Sequence, residues 1–89
     1  MMTMRTARET AIRRALLQAL RAVPAGYLLP DDILRADAGR MVAPAATTAE
    51  LDGEIRDADK ARLIVGIPGE DDIRWQVTDA GRAWLAMHQ

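Results

Sequence analysis

The 89-residue sequence contains no cysteine, no serine and no phenylalanine, and a single histidine. Without cysteine there is neither a disulfide framework nor a thiolate metal site. His88 has no second imidazole with which to share a transition metal. The absence of serine and cysteine also removes the common nucleophiles of acyl transfer. No glycine-rich phosphate loop is present, and the adjacent acids Asp31-Asp32 and Asp71-Asp72 fall at a helix start and in a turn. Acids in such places act as caps rather than as an acid/base pair facing across a cleft. A chain of this length leaves little room for an enclosed pocket. The expectation is a protein that is not an enzyme and needs no metal or cofactor.

Long hydrophobic runs are missing too. The longest, such as Ala15-Leu16-Leu17 and Leu63-Ile64-Val65, are far too short to span a bilayer. The start, Met1-Met2-Thr3-Met4-Arg5, lacks the apolar stretch of a signal peptide. A soluble cytoplasmic protein with no membrane contact is expected. The length predicts one domain over 1–89. With two tryptophans and one tyrosine, the core has to be mainly aliphatic.

Charge is unevenly placed. Residues 1–24 hold five arginines against one glutamate, a net +4. Residues 25–89 hold seven basic and twelve acidic side chains, a net −5. The whole chain carries −1, short of the strongly basic footprint of most nucleic-acid binders. Arginine outnumbers lysine eleven to one, which we read as the coding bias of a GC-rich genome rather than as chemistry.

Apolar residues at helical spacing (Ile12, Leu16, Ala19, Leu20 and Val23) predict a first helix over 5–23, with Arg14, Gln18 and Arg21 on its other face. Pro24-Ala25-Gly26 stops it. Tyr27-Leu28-Leu29 is a short extended piece, held out of the helical region by the following proline. Pro30 opens a second helix, with Asp31 and Asp32 in its first turn. Ile33, Leu34 and Ala38 are expected to face inward, and Gly39 to end the helix. A loop over 39–46 follows. Thr47 and Glu50 then form a capping-box pair that starts a third helix, whose inner stripe is Leu51, Ile55, Ala58 and Arg62. The β-branched run 63–67, a turn over 68–72 and the alternating run 73–77 predict a hairpin, with Ile73, Trp75 and Val77 on one face. Thr78 or Asp79 caps a last helix running through Met87. Leu16, Leu20, Leu51, Ile55, Val65 and Trp75 are expected to share one core.

This order, three helices and then a two-stranded hairpin and a closing helix, resembles the winged helix-turn-helix superfamily. The likeness is most specific in Ala61-Arg62-Leu63-Ile64-Val65-Gly66 and in Trp75-Gln76-Val77-Thr78-Asp79-Ala80-Gly81-Arg82-Ala83. In bacterial regulators of this type a third helix runs into a Leu-Ile strand, and the second wing strand ends in Thr-x-x-Gly-Arg. The sequence is also similar to small prophage-encoded proteins of the same build. The fold implied is mainly helical with a small β-hairpin.

That resemblance implies a small transcription regulator binding double-stranded DNA, with the third helix in the major groove. The residues that would meet DNA are Arg13, Arg14 and Arg21 on the first helix, Arg40 in the loop, Arg56 and Lys60 on the third helix, and Arg74 in the wing. The charge pattern points the other way. Residues 49–60 carry five acids and two bases, with Asp52, Arg56, Asp59 and Lys60 expected outward and Glu54 and Asp57 beside them. The wing tip offers Glu70, Asp71 and Asp72. Acids facing phosphates weaken binding, which gains chiefly from counterion release. A protein-interaction module that does not bind DNA therefore remains open. The last helix has apolar residues in two directions, and tryptophan is favoured at interface centres. A homodimer with Trp84 and Met87 at its seam is the expectation.

Overall fold

A computed structural model describes residues 5–24 and 26–88. Four helices and a small antiparallel sheet follow one another as α1 (Ala7–Arg21), β1 (Leu29–Pro30), α2 (Asp31–Arg40), α3 (Thr48–Lys60), β2 (Ile64–Pro68), β3 (Ile73–Val77) and α4 (Asp79–Met87). No described helix is long and apolar enough to cross a membrane.

Local chemistry places the helix starts. Thr6 caps α1 and Thr47 caps α3. Each hydroxyl accepts from the backbone N–H three residues on, while Glu9 and Glu50 reach back to the cap's own N–H. The box at Thr6 moves the start of α1 two residues beyond the expected Arg5. Thr78 caps α4 by accepting from Gly81 N–H at 3.0 Å. Gly39, expected to end the second helix, is instead buried within its last turn, and Met41 is the C-cap.

α1 is the centre of the molecule, packed against α2, α3, α4 and β3. Being covered on several sides, it buries more than one stripe: Ile12, Arg13, Ala15, Leu16, Leu17 and Leu20. Ala19 and Val23, expected on that stripe, are half-buried. The core is completed by Leu34 and Ala38 of α2, Leu51, Ile55 and Ala58 of α3, Leu63, Ile64, Trp75, Val77 and Leu85. Ile33 is exposed, contrary to expectation, because Leu34 and Ala38, one turn apart, carry the inward face of α2.

The sheet has three strands in the order β1-β3-β2, one more than the hairpin expected from sequence. The short piece at Leu29–Pro30 pairs with β3, Leu29 opposite Trp75. Trp75 also donates its indole N–H to Asp31 Oδ1 at 2.8 Å, tying β3 to the first turn of α2. In the β2–β3 register, Ile64 lies opposite Val77 and Gly66 opposite Trp75. Directly opposed residues share a face, so the inner set is Ile64, Gly66, Trp75 and Val77. Val65 therefore points outward with Ile67, and both are exposed. Its expected place in the core is wrong by one residue of register, which reverses a side chain. Gly66 is required where it stands, since a β-carbon there would come within 2.8 Å of the Trp75 ring and 2.6 Å of Ile73 Cδ1.

Candidate nucleic-acid interface

The face of α3 opposite its buried stripe carries Ala49, Gly53, Arg56 and Lys60, given 100° per residue. Arg56 and Lys60 are one turn apart, both exposed, and neither makes an ion pair with any described residue. They form a two-cation row in the half of the helix nearest β2.

The acids of α3 lie elsewhere. Arg8 of α1 grips Glu50 with two bonds, from Nε to Oε2 at 3.0 Å and from Nη2 to Oε1 at 3.1 Å. The same guanidinium donates to the carbonyls of Pro44 and Ala45, which fastens the α2–α3 loop to α1. Arg35 of α2 bridges Asp31, one turn back, and Asp52 of α3. Glu54, expected beside the exposed face, is buried. It takes a hydrogen bond from Arg5 at 2.5 Å and lies 3.6 Å from Arg13 Nε. Three of the five carboxylates in residues 49–60 thus face arginines from α1, α2 and the segment before α1. Asp57 and Asp59 stay exposed.

The bonds from Arg8, with the backbone N–H of Thr47 next in weight, hold the Glu50 carboxyl down to about 2 from an ordinary 4.5. A carboxylate with a depressed folded pKa adds stability that is complete above its unfolded pKa and lost as pH falls toward the folded one. The stability gap between wild type and Glu50→Gln should therefore persist above pH 4.5 and close by about pH 2. Thermal unfolding of both proteins over that range checks this, and a pH-independent gap would refute it.

The other residues read from sequence as DNA contacts are dispersed. Arg13 is buried, with its guanidinium 5.7 Å from the Trp84 ring centroid. Burial, then the neighbouring charge of Arg5, pulls its pKa below the usual arginine value. Arg14 donates to His88 O at 2.6 Å, at the end of α4. Arg21 is exposed in the last turn of α1, and Arg40 pairs with Asp37 at the end of α2. Arg74 stands 3.8 Å from Asp72 beside the turn between β2 and β3. Only Arg56 and Lys60 among these share one exposed helix face. Of the two residues expected at a dimer seam, Trp84 is half-buried, packed on the core and stacked on His88 at 3.9 Å. Met87 is 81% exposed.

A groove of about 680 Å³ lies between the end of α3, β2 and the start of α4. Lys60 and Arg62 line it, as do Asp59 and Asp79. Arg62, read from sequence as part of the inner stripe of the third helix, is exposed beyond the end of α3. Among the described residues no group of three or more His, Asp or Glu side chains is placed to hold a metal ion. No family model, no curated protein and no solved structure matches this chain.

Proposed function

We propose that the chain is a winged helix-turn-helix protein that binds double-stranded DNA through the outward face of α3, as a small transcription regulator. The order α1-β1-α2-α3-β2-β3 with sheet order β1-β3-β2 supports the winged-helix reading, β2 and β3 being the wing. The observation that carries the DNA reading is the internal pairing of Glu50, Asp52 and Glu54. Three of the five acids of α3 are thus paired with arginines, Asp57 and Asp59 staying exposed, and Arg56 and Lys60 are the cations of the outward face. The test is a titration with random duplex DNA across salt. Each neutralised phosphate adds about −0.9 to the slope of log affinity against log salt, so a slope of about −2 or steeper is expected.

A second reading is favoured by the wing. Its tip carries Glu70, Asp71 and Asp72, and the outer face of the sheet shows Val65 and Ile67. Those groups suit a protein partner, and absence of duplex binding at low salt selects this reading. Under either reading a homodimer is proposed through α4, where Met87 is exposed with Ala80 and Ala83 at helical spacing. Trp84, being turned inward, then supports the seam from behind. A wild type that sediments as a monomer at high micromolar concentration rules the dimer out.

A further inference from the structure

α3 ends in a backbone conformation that suits glycine, and the residue there is arginine. Arg62 has φ 61°, and it is the only non-glycine residue at positive φ among those described. Its N–H bonds to Asp59 O at 3.0 Å, and the next N–H, of Leu63, reaches Ala58 O at 2.9 Å. This is the paired closure of a Schellman stop, whose left-handed position is usually glycine because a β-carbon strains it. The strained residue is held from outside as well. Thr78 Oγ1 donates to Arg62 O at 2.6 Å, and Thr78 N–H donates to Leu63 O at 3.0 Å.

The side chain contributes nothing visible to this closure. It is exposed, and it makes no hydrogen bond or ion pair with any described residue. It shares the groove beside β2 with Lys60. Strain kept by an over-determined backbone clusters at functional positions, and here packing gives the guanidinium no task. Arg56, Lys60 and Arg62 are all exposed, Arg56 lying one turn before Lys60 and Arg62 lining one groove with Lys60.

We propose that Arg62 is a third phosphate contact of the DNA-binding face, touching the duplex backbone rather than base edges. This rests on the reading of α3 as the DNA-facing helix. Arg62 stands past the helix end, beside Lys60 at the groove and off the helical face that would enter a major groove. Asp59 and Asp79 line the same cavity, so the phosphate is met at the exposed guanidinium and not inside the cavity.

The experiment compares wild type, Arg62→Gly and Arg62→Lys by thermal unfolding and by binding to two unrelated duplexes across salt. Arg62→Gly should relieve the strain and raise the unfolding midpoint by about 4–8 °C, the shift typical of a modest gain in a domain this small. The same variant should bind both duplexes several-fold more weakly, with a salt slope smaller by about 1. Arg62→Lys should keep the slope, since a phosphate accepts a point charge. Unchanged affinity and slope in Arg62→Gly would overturn the contact, and a loss confined to one duplex would overturn its assignment to the backbone. A lowered midpoint would overturn the strain argument. A wild type that binds neither duplex overturns the reading of α3 itself, and this inference with it.

Discussion

Glu54→Ala should destabilise the protein by about 3–5 kcal/mol, the range for removing one partner of a buried ion pair. The Glu54 side chain is 5% exposed and that of Arg13 is 10% exposed. Their pairing is the junction of three helices: Glu54 belongs to α3, Arg13 to α1, and the Arg13 guanidinium lies against Trp84 of α4. Arg13 Nε has no hydrogen-bond partner even in the intact protein, so charge alone compensates it. Without the carboxylate a guanidinium stays buried among Trp84 and the positive Arg5. Arg5 is more open, at 31% exposed, and water takes over part of its share, which sets the expectation toward the lower end of that range. Urea unfolding monitored by Trp84 and Trp75 fluorescence gives the value. A loss under about 1 kcal/mol would mean that Arg13 swings out to solvent when released. Replacing Glu54 and Arg13 together by apolar residues of similar size should restore most of the stability, because well-packed apolar substitutes for a buried pair are often neutral or better. A double variant as unstable as Glu54→Ala alone would show that the loss comes from packing and not from the stranded charge.

The parts of this structure that sequence makes legible are the local ones. The box at Thr47 and Glu50 depends on residues three apart, and the alternation of Ile73, Trp75 and Val77 depends on residues two apart. The hairpin over β2 and β3 follows from the same short-range pattern. What sequence does not show is decided across the fold. Arg8 and Glu50 are 42 positions apart, Arg5 and Glu54 are 49 apart, and Trp75 and Asp31 are 44 apart. The acidity of α3 is a property of the chain as a string, and those distant arginines cancel much of it in space. Glu54 did carry a signal: it lies three residues after Leu51 and four before Ala58, so it falls on the flank of the inner stripe. The outward position of Val65 is hidden from sequence for a different reason. Leu63 and Ile64 are both buried at the entrance to β2, so the apolar run has no clear phase, and the inward glycine at 66 is visible only once the Trp75 ring is seen crossing it.

Reversing the two cations of α3, Arg56→Glu with Lys60→Glu, should cut duplex affinity by about a hundredfold or more at about 50 mM salt. The magnitude follows from counterion release. Each phosphate contact contributes about 0.9 log units per tenfold change in salt. Relative to a 1 M reference, two contacts at about 50 mM are then worth roughly two decades. The introduced carboxylates repel phosphates and push the loss further. Stability should change little, because both side chains are exposed and neither is engaged in an ion pair with a described residue. Surface changes of this kind usually stay within about 0.5 kcal/mol. Asp52 and Asp59 as near neighbours make the helix slightly less favourable, so circular dichroism should accompany the binding assay. The parallel variant, Arg14→Ala with Arg21→Ala, tests the cations of α1. Arg14 is committed to the end of α4, and Arg21 sits in the last turn of α1, away from the Arg5 and Arg8 end that holds α3. The second pair should therefore leave affinity and salt slope nearly unchanged. If the α1 pair weakens binding while the reversed α3 pair does not, the DNA-facing surface lies on α1 and the assignment to α3 is wrong.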